Sequence, residues 1–188
     1  MAVMKNHYLI ITALESELKR TALPAGVEIV YCGIGKINAA IATMKAITQY
    51  SPQHIMNFGT AGKVNPSLQG LLEIGTVIQR DMHTEPLAPR GQTPFCDKPY
   101  EYRALGQYRC GTGDSFVTAH DPWLHEQGVD VVDMELFAIA ACAHDHHVPW
   151  QAFKYITDDA NVDSAKDWQD KVHHGQDLFL EKLKQQLS

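Results

Sequence analysis

Two acidic clusters are the first candidates for chemistry in this chain: Asp133-Met134-Glu135 heads an Ala-rich run, and Asp158-Asp159 closes an apolar one. A helix start and a strand mouth in apolar surroundings are costly places for carboxylates unless ligand hydroxyls, ring nitrogens or cations meet them. Each acid also has a structural alternative. Asp133 could cap the helix, Glu135 could serve its positive first turn, and Asp158 could cap the next turn. Glu15 and Glu17 stand just after the first apolar run and move the balance towards a site drawn from distant parts of the chain.

Those acids need elements to bring them together. Residues 8–13 read as a buried strand, followed by a short polar helix over 14–20. A second strand over 27–32 runs into Gly33-Ile34-Gly35 and a helix over 36–49, whose Ala39, Ala40 and Ala42 permit close packing on a sheet. A third strand over 54–58 is expected to stop at Gly59-Thr60-Ala61-Gly62, and a fourth covers 74–79. Pro86, Pro89, Pro94 and Pro99 then mark the longest loop. Strands over 107–110 and 129–132, with a turn at 111–114 between them, precede a helix over 134–147 and a last strand over 149–157. A final helix over 164–187 repeats Trp168, Val172, Phe179, Leu183 and Leu187 at helical spacing, a stripe expected to dock on the core. Strands alternating with helices predict an α/β sheet with helices packed around it, which binds ligands at the carboxyl ends of its strands. Thr60, Phe116, Glu135 and Asp158 all fall near such ends.

Composition limits what such a site can serve. With 188 residues, 45% of them hydrophobic, the chain is expected to form a single domain over 1–188 with a real core. Sixteen Lys and Arg against 22 Asp and Glu give a net charge of −6, which leaves no basic footprint for nucleic acid or anionic lipid. A small neutral or cationic ligand fits better. Cys32, Cys96, Cys110 and Cys142 form no C-x-x-C pair, so a reduced, cytoplasmic protein is expected. The first apolar run is too short for a signal segment, and no run is long enough to span a bilayer. Gly33-Ile34-Gly35-Lys36 follows a strand and opens a helix, but the third glycine and the distal acid of a dinucleotide site are missing. The histidines at 144, 146, 147, 173 and 174 lack metal-site spacing. Neither a cofactor nor a metal is expected.

Several short motifs recur in one order along nearly the whole chain. They are Ala13-Leu14-Glu15-Ser16-Glu17, Gly33-Ile34-Gly35-Lys36-Ile37-Asn38-Ala39-Ala40, Asn57-Phe58-Gly59-Thr60-Ala61-Gly62, Gly91-Gln92-Thr93-Pro94, Gly113-Asp114-Ser115-Phe116, Asp133-Met134-Glu135 and Ile156-Thr157-Asp158-Asp159-Ala160. In this order they resemble the nucleoside phosphorylase and nucleosidase superfamily, and within it most the 5'-methylthioadenosine/S-adenosylhomocysteine nucleosidases. The resemblance implies a three-layer α/β domain, with a central mixed, twisted sheet between helices. It also implies an enzyme that splits a purine N-glycosidic bond.

The roles implied are specific. Asp158 would protonate a purine ring nitrogen, and Glu17 would hold and deprotonate the attacking water. Glu135 would accept both ribose hydroxyls, a two-oxygen acceptor matched to a diol. Met134 would pack beneath the sugar, Phe116 would stack on the base, the Val117 main chain would read its edge, and Thr60 would take the place of a family serine near the water. Lys154 stands where the nucleosidases usually carry arginine, keeping the charge but losing the planar fork. Ala160 joins the binding set through its motif. Asp133 replaces a glutamate and Asn161 an aspartate, and the chain lacks a hairpin before residue 27 and part of the middle. Phosphorylases of the superfamily carry a Gly-Asp-Pro and arginine pattern near the first strand. Here Leu14-Glu15-Ser16-Glu17 stands instead, so water is the expected nucleophile, with a phosphate-dependent phosphorylase and a non-catalytic nucleoside-binding member as alternatives. Residues 80–87 resemble a loop that enters a neighbouring subunit's pocket for the 5' substituent. His83 and Glu85 make it more polar than a methylthio group needs, which implies a homodimer taking a polar 5' group.

Overall fold

The computed structural model describes residues 8–161 and 164–187. Along them run β1 (Tyr8–Thr12), β2 (Glu28–Tyr31), α1 (Lys36–Tyr50), β3 (His54–Lys63), β4 (Leu71–Gln79), β5 (Glu101–Arg103) and β6 (Tyr108–Thr112). Then come α2 (Pro122–Glu126), β7 (Val131–Asp133), α3 (Leu136–Asp145), β8 (Trp150–Asp158), α4 (Ser164–Lys171) and α5 (Gln176–Leu187). The strands form one mixed sheet. β1 lies parallel between β2 and β3, β8 lies parallel to β3, and β4 lies antiparallel to β8. β6 follows parallel to β4, and β7 parallel to β6, while β5 pairs antiparallel with the other edge of β4. Because β7 also pairs antiparallel with the far end of β3, the sheet curls into a ring of β3, β8, β4, β6 and β7.

Alternation within β1 explains the layers. Leu9 and Ile11 meet α1 and α3 through Ala39, Ala46, Ile47, Ile139 and Ala143, while Tyr8 and Ile10 point to the opposite face. There Phe179 and Leu183 of α5 pack on Met56, Phe58 and Phe153, with the Phe58 and Phe179 rings stacked at 4.5 Å. Truncating Phe179 to alanine at such a site costs about 3–5 kcal/mol.

Four expectations need correction. Residues 14–17 form a turn instead of a helix, with the Ala13 and Leu14 N–H groups drawn to the Glu17 side chain, and only a short 3₁₀ turn, Arg20–Ala22, follows. Gly59-Thr60-Ala61-Gly62 does not end β3 but lies inside it, paired with β8. The final helix breaks between α4 and α5, where Gly175 approaches Tyr155 so closely that a Cβ would stand 2.5 Å from the Tyr155 Cβ. β5 and α2 were not expected; α2 starts on an Asp121 side chain that accepts from the Trp123 N–H.

Candidate active site

The unequal lengths of β1 and β3 create the first wall. β1 pairs with β3 only as far as Asn57, and β7 joins β3 at Gly62, which leaves an edge of β3 without a strand beside it. The chain leaving β1 folds back, closed by the Glu17 N–H on the Leu14 carbonyl at 3.1 Å, and the Glu17 carboxylate fills that edge. Its Oε1 accepts from the Thr60 N–H at 3.0 Å and the Thr60 hydroxyl at 2.9 Å. Its Oε2 accepts from the Thr12 hydroxyl and the Ala13 and Leu14 N–H groups, each at 3.1 Å. Neutral donors alone thus solvate a carboxylate that is 3% exposed.

The second wall follows from a slip in register. β8 and β3 shift relative to one another between Ala61 and Gly62, bringing Asp158 beside Gly62. A Cβ on Gly62 would stand 2.5 Å from Asp158 Oδ1, so the glycine is what makes room for the acid. The Asp158 carboxylate is held by the Thr157 hydroxyl on Oδ2 at 3.1 Å and the Ala160 N–H on Oδ1 at 3.0 Å.

The third wall is built on an ion pair. Asp133 Oδ2 accepts from the Leu136 N–H at 2.8 Å, capping α3, and lies 2.7 Å from Lys154 Nζ. Oδ1 accepts from the Thr112 hydroxyl at 2.5 Å. Burial alone would raise the Asp133 pKa, but Lys154 and these donors hold it below the usual carboxylate range. Burial would likewise lower the Lys154 pKa, and Asp133 and Glu135 outweigh it, so the ammonium is kept. Glu135 sits beside this pair with Oε1 on the Gly35 N–H at 3.0 Å. Its burial and the charge of Asp133 push its pKa up to about 7, against the pull of Lys154.

Glu17, Thr60, Phe116, Val117, Met134, Glu135 and Asp158 line one cavity at these strand ends. Lys154 does not. Its buried ammonium is paired with Asp133 beneath the wall. Ala160 is also absent from the lining and acts through its N–H on Asp158. Trp168 and Arg80 also line the cavity and were not foreseen there. Trp168, expected in the core stripe, faces the cavity and donates its indole N–H to Thr60 Oγ1 at 2.9 Å. Arg80 donates Nη2 to the Gly113 and Ser115 carbonyls, fixing the loop that carries Phe116, and burial lowers its pKa. An arginine directly after an apolar strand was the available signal.

With this geometry in view, the sequence profile described as the Phosphorylase superfamily matches residues 25–187. The chain belongs to the phosphorylase superfamily. Among curated relatives of this superfamily member, the 5'-methylthioadenosine/S-adenosylhomocysteine nucleosidase of Anoxybacillus flavithermus is 30% identical over 168 aligned positions, taking in 74% of this chain and 71% of the relative. The enzyme of the same name from Staphylococcus haemolyticus is 30% identical, over 69% and 67% of the two chains. Among solved structures, a Helicobacter pylori nucleosidase mutant with 5'-methylthioadenosine in its active site has a TM-score of 0.86 at 17% identity, covering 97% of this chain and 98% of that one. A futalosine hydrolase mutant from Helicobacter pylori gives 0.84 at 17% identity, over 95% and 97%. At such identities these structures share the fold.

In this superfamily member, two backbone donors at the start of α1 are already engaged. The Gly33 and Gly35 φ angles of 78° and 95° shape a tight strand-to-helix turn. The Gly35 N–H goes to Glu135 and the Lys36 N–H to Asp114 Oδ1 at 2.7 Å, while Lys36 Nζ pairs with Asp81 at 2.6 Å. Among the described residues, no group of three or more His, Cys, Asp or Glu could hold a metal ion, and no helix is long and apolar enough to cross a membrane.

Proposed function

We propose that this protein hydrolyses the N-ribosyl bond of a purine nucleoside carrying a 5' substituent, with water as the nucleophile. One observation carries the choice of water. Three backbone donors that a phosphate could use, the Thr60, Gly35 and Lys36 N–H groups, are taken by the carboxylates of Glu17, Glu135 and Asp114. A second anion there would meet repulsion in a partly desolvated site.

Asp158 acts as the general acid on a ring nitrogen of the departing base, and Glu17 takes a proton from the water. Glu135 receives the ribose diol beside Met134, and Phe116, 45% exposed at the cavity rim, stacks on the base. A homodimer suits the surface of α1, where Ile34, Ile37, Ile41 and Met44 form an exposed apolar stripe that starts at the cavity lining. Phe95, 94% exposed, adds to that apolar surface. His83 and Glu85 are exposed and outside the cavity lining of their own chain, in keeping with a role at a neighbour's polar 5' pocket. Four free cysteines fit a reducing cytoplasm.

The test is to incubate the protein with 5'-methylthioadenosine, S-adenosylhomocysteine, adenosine, inosine and futalosine, with and without phosphate. Base and free sugar should appear at a rate independent of phosphate. Ribose 1-phosphate would make the protein a phosphorylase, and tight nucleoside binding without base release would make it a binding protein. Faster turnover of 5'-methylthioadenosine than of the polar analogues would sink the polar 5' pocket.

A further inference from the structure

Three contacts meet at Thr60. Its N–H and its hydroxyl both donate to Glu17 Oε1, and its Oγ1 accepts the indole N–H of Trp168, which stands 108 residues further along the chain. Trp168 belongs to α4, whose sequence Ser-Ala-Lys-Asp-Trp-Gln-Asp-Lys is otherwise small or polar. The indole is therefore the one large apolar group that α4 brings to the cavity.

We infer that Trp168 is a positioning residue for the attacking water, acting through Thr60. This rests on the hydrolytic function proposed above. A threonine hydroxyl has one proton and two lone pairs. Glu17 takes the proton and Trp168 fills one lone pair, so a single acceptor position is left on Oγ1. Without the indole, Oγ1 would have two open acceptor positions and a water could settle in either. With it, one hydrogen of the water goes to Thr60 and the other to Glu17. Oε1 is the better oxygen for that second bond, since it carries two donors against three on Oε2.

A water that gives both hydrogens to the protein has only its lone pairs left for the anomeric carbon, which is the orientation attack needs. In that step the carbon–nitrogen bond breaks, its electron pair leaves on the base, and the base nitrogen takes the proton of Asp158. The water oxygen forms the new carbon–oxygen bond and passes one proton to Glu17. Trp168 touches none of the reacting atoms. Its effect is to remove a wrong seat for the water.

The test is a cycle of Trp168→Phe, Thr60→Val and the double variant, with kcat and KM measured for the best nucleoside substrate. Trp168→Phe keeps an aromatic ring and loses the N–H, and it should lower kcat about tenfold with KM within about twofold. The double variant should be no slower than Thr60→Val alone, because both changes act on one hydroxyl. Losses that multiply, or a Trp168→Phe enzyme with unchanged kcat, overturn the inference, since a merely structural tryptophan would act independently of Thr60. Should Trp168→Phe fail to fold, the indole N–H resonance of Trp168, assigned by elimination with Trp123→Phe and Trp150→Phe, supplies the readout. It must move in Thr60→Val; an unmoved resonance overturns the contact. Wild-type protein that releases no base from any nucleoside defeats the proposed function instead, which keeps the two failures apart.

Discussion

Glu17 and Asp133 are both buried carboxylates at the rim of one sheet, 3% and 5% exposed, yet they are kept there by opposite means. Glu17 is solvated by backbone N–H groups and hydroxyls, whereas Asp133 adds an ammonium at 2.7 Å. Dipoles satisfy the lone pairs of Glu17 without placing a counter-charge on it. The ion pair cancels the charge of Asp133, and Lys154 stays out of the cavity lining. Glu135 stands next to the neutralised pair, close enough to feel Asp133 and Lys154, with its Oε1 accepting from the Gly35 N–H. The difference separates a carboxylate held by neutral donors from one locked in an ion pair.

The contrast is most sharply tested at Lys154. Lys154→Met leaves Asp133 buried without its cation and should cost about 3–5 kcal/mol of stability, read by denaturant unfolding. Glu17→Gln should instead cost about 1–3 kcal/mol, because its amide nitrogen faces donors, while turnover falls about 10³-fold. Equal destabilisation by the two changes would erase the distinction. Asp158→Asn should lower turnover to a similar extent with nucleoside affinity kept, measured by single-turnover base release and direct binding.

Gly62→Ala comes next. The added Cβ pushes Asp158 aside, and kcat should fall about 10²-fold with a melting temperature close to wild type. A fully active Gly62→Ala enzyme would mean that Asp158 is not held where the proton is needed.

The smallest effect concerns pH. The Glu135 pKa of about 7 lies above the ordinary 4.5, so the empty folded protein binds more protons than the unfolded chain between these values. Stability therefore falls as pH rises through that window. Glu135→Gln should melt higher than wild type at about pH 8 and match it near about pH 4, while binding nucleosides more weakly. A lower melting temperature for the variant at high pH would show that Glu135 is not strained by its charge.

Much of this was legible in the sequence because apolar runs and small-residue helices are local signals. β1, α1, α3 and β8 fall within a few residues of expectation. The misses share a cause, which is that distant groups override local ones. The glycines at 59 and 62 look like strand stoppers, but they stay in β3 because Lys154 and Asp158 need the space their side chains would fill. Residues 14–17 have helical composition, yet the Glu17 carboxylate takes the N–H groups of Ala13 and Leu14. Trp168 has the spacing of a core residue, and only the break before α5 shows that α4 turns it to the cavity. Lys154 kept the charge of an arginine, but no sequence pattern could show that Asp133 would claim it.

The gap beside β3 also bears on how this sheet finds its alignment. A one-residue slip of β1 against β3 would carry the Glu17 turn past the Thr60 N–H and hydroxyl, stranding an acid in the interior at a cost of several kcal/mol. Chains that pair wrongly would thus be penalised by the same residue proposed to handle the water. A single buried carboxylate thus ties strand alignment to the site, because its five donors from two parts of the chain are met together only in the native register.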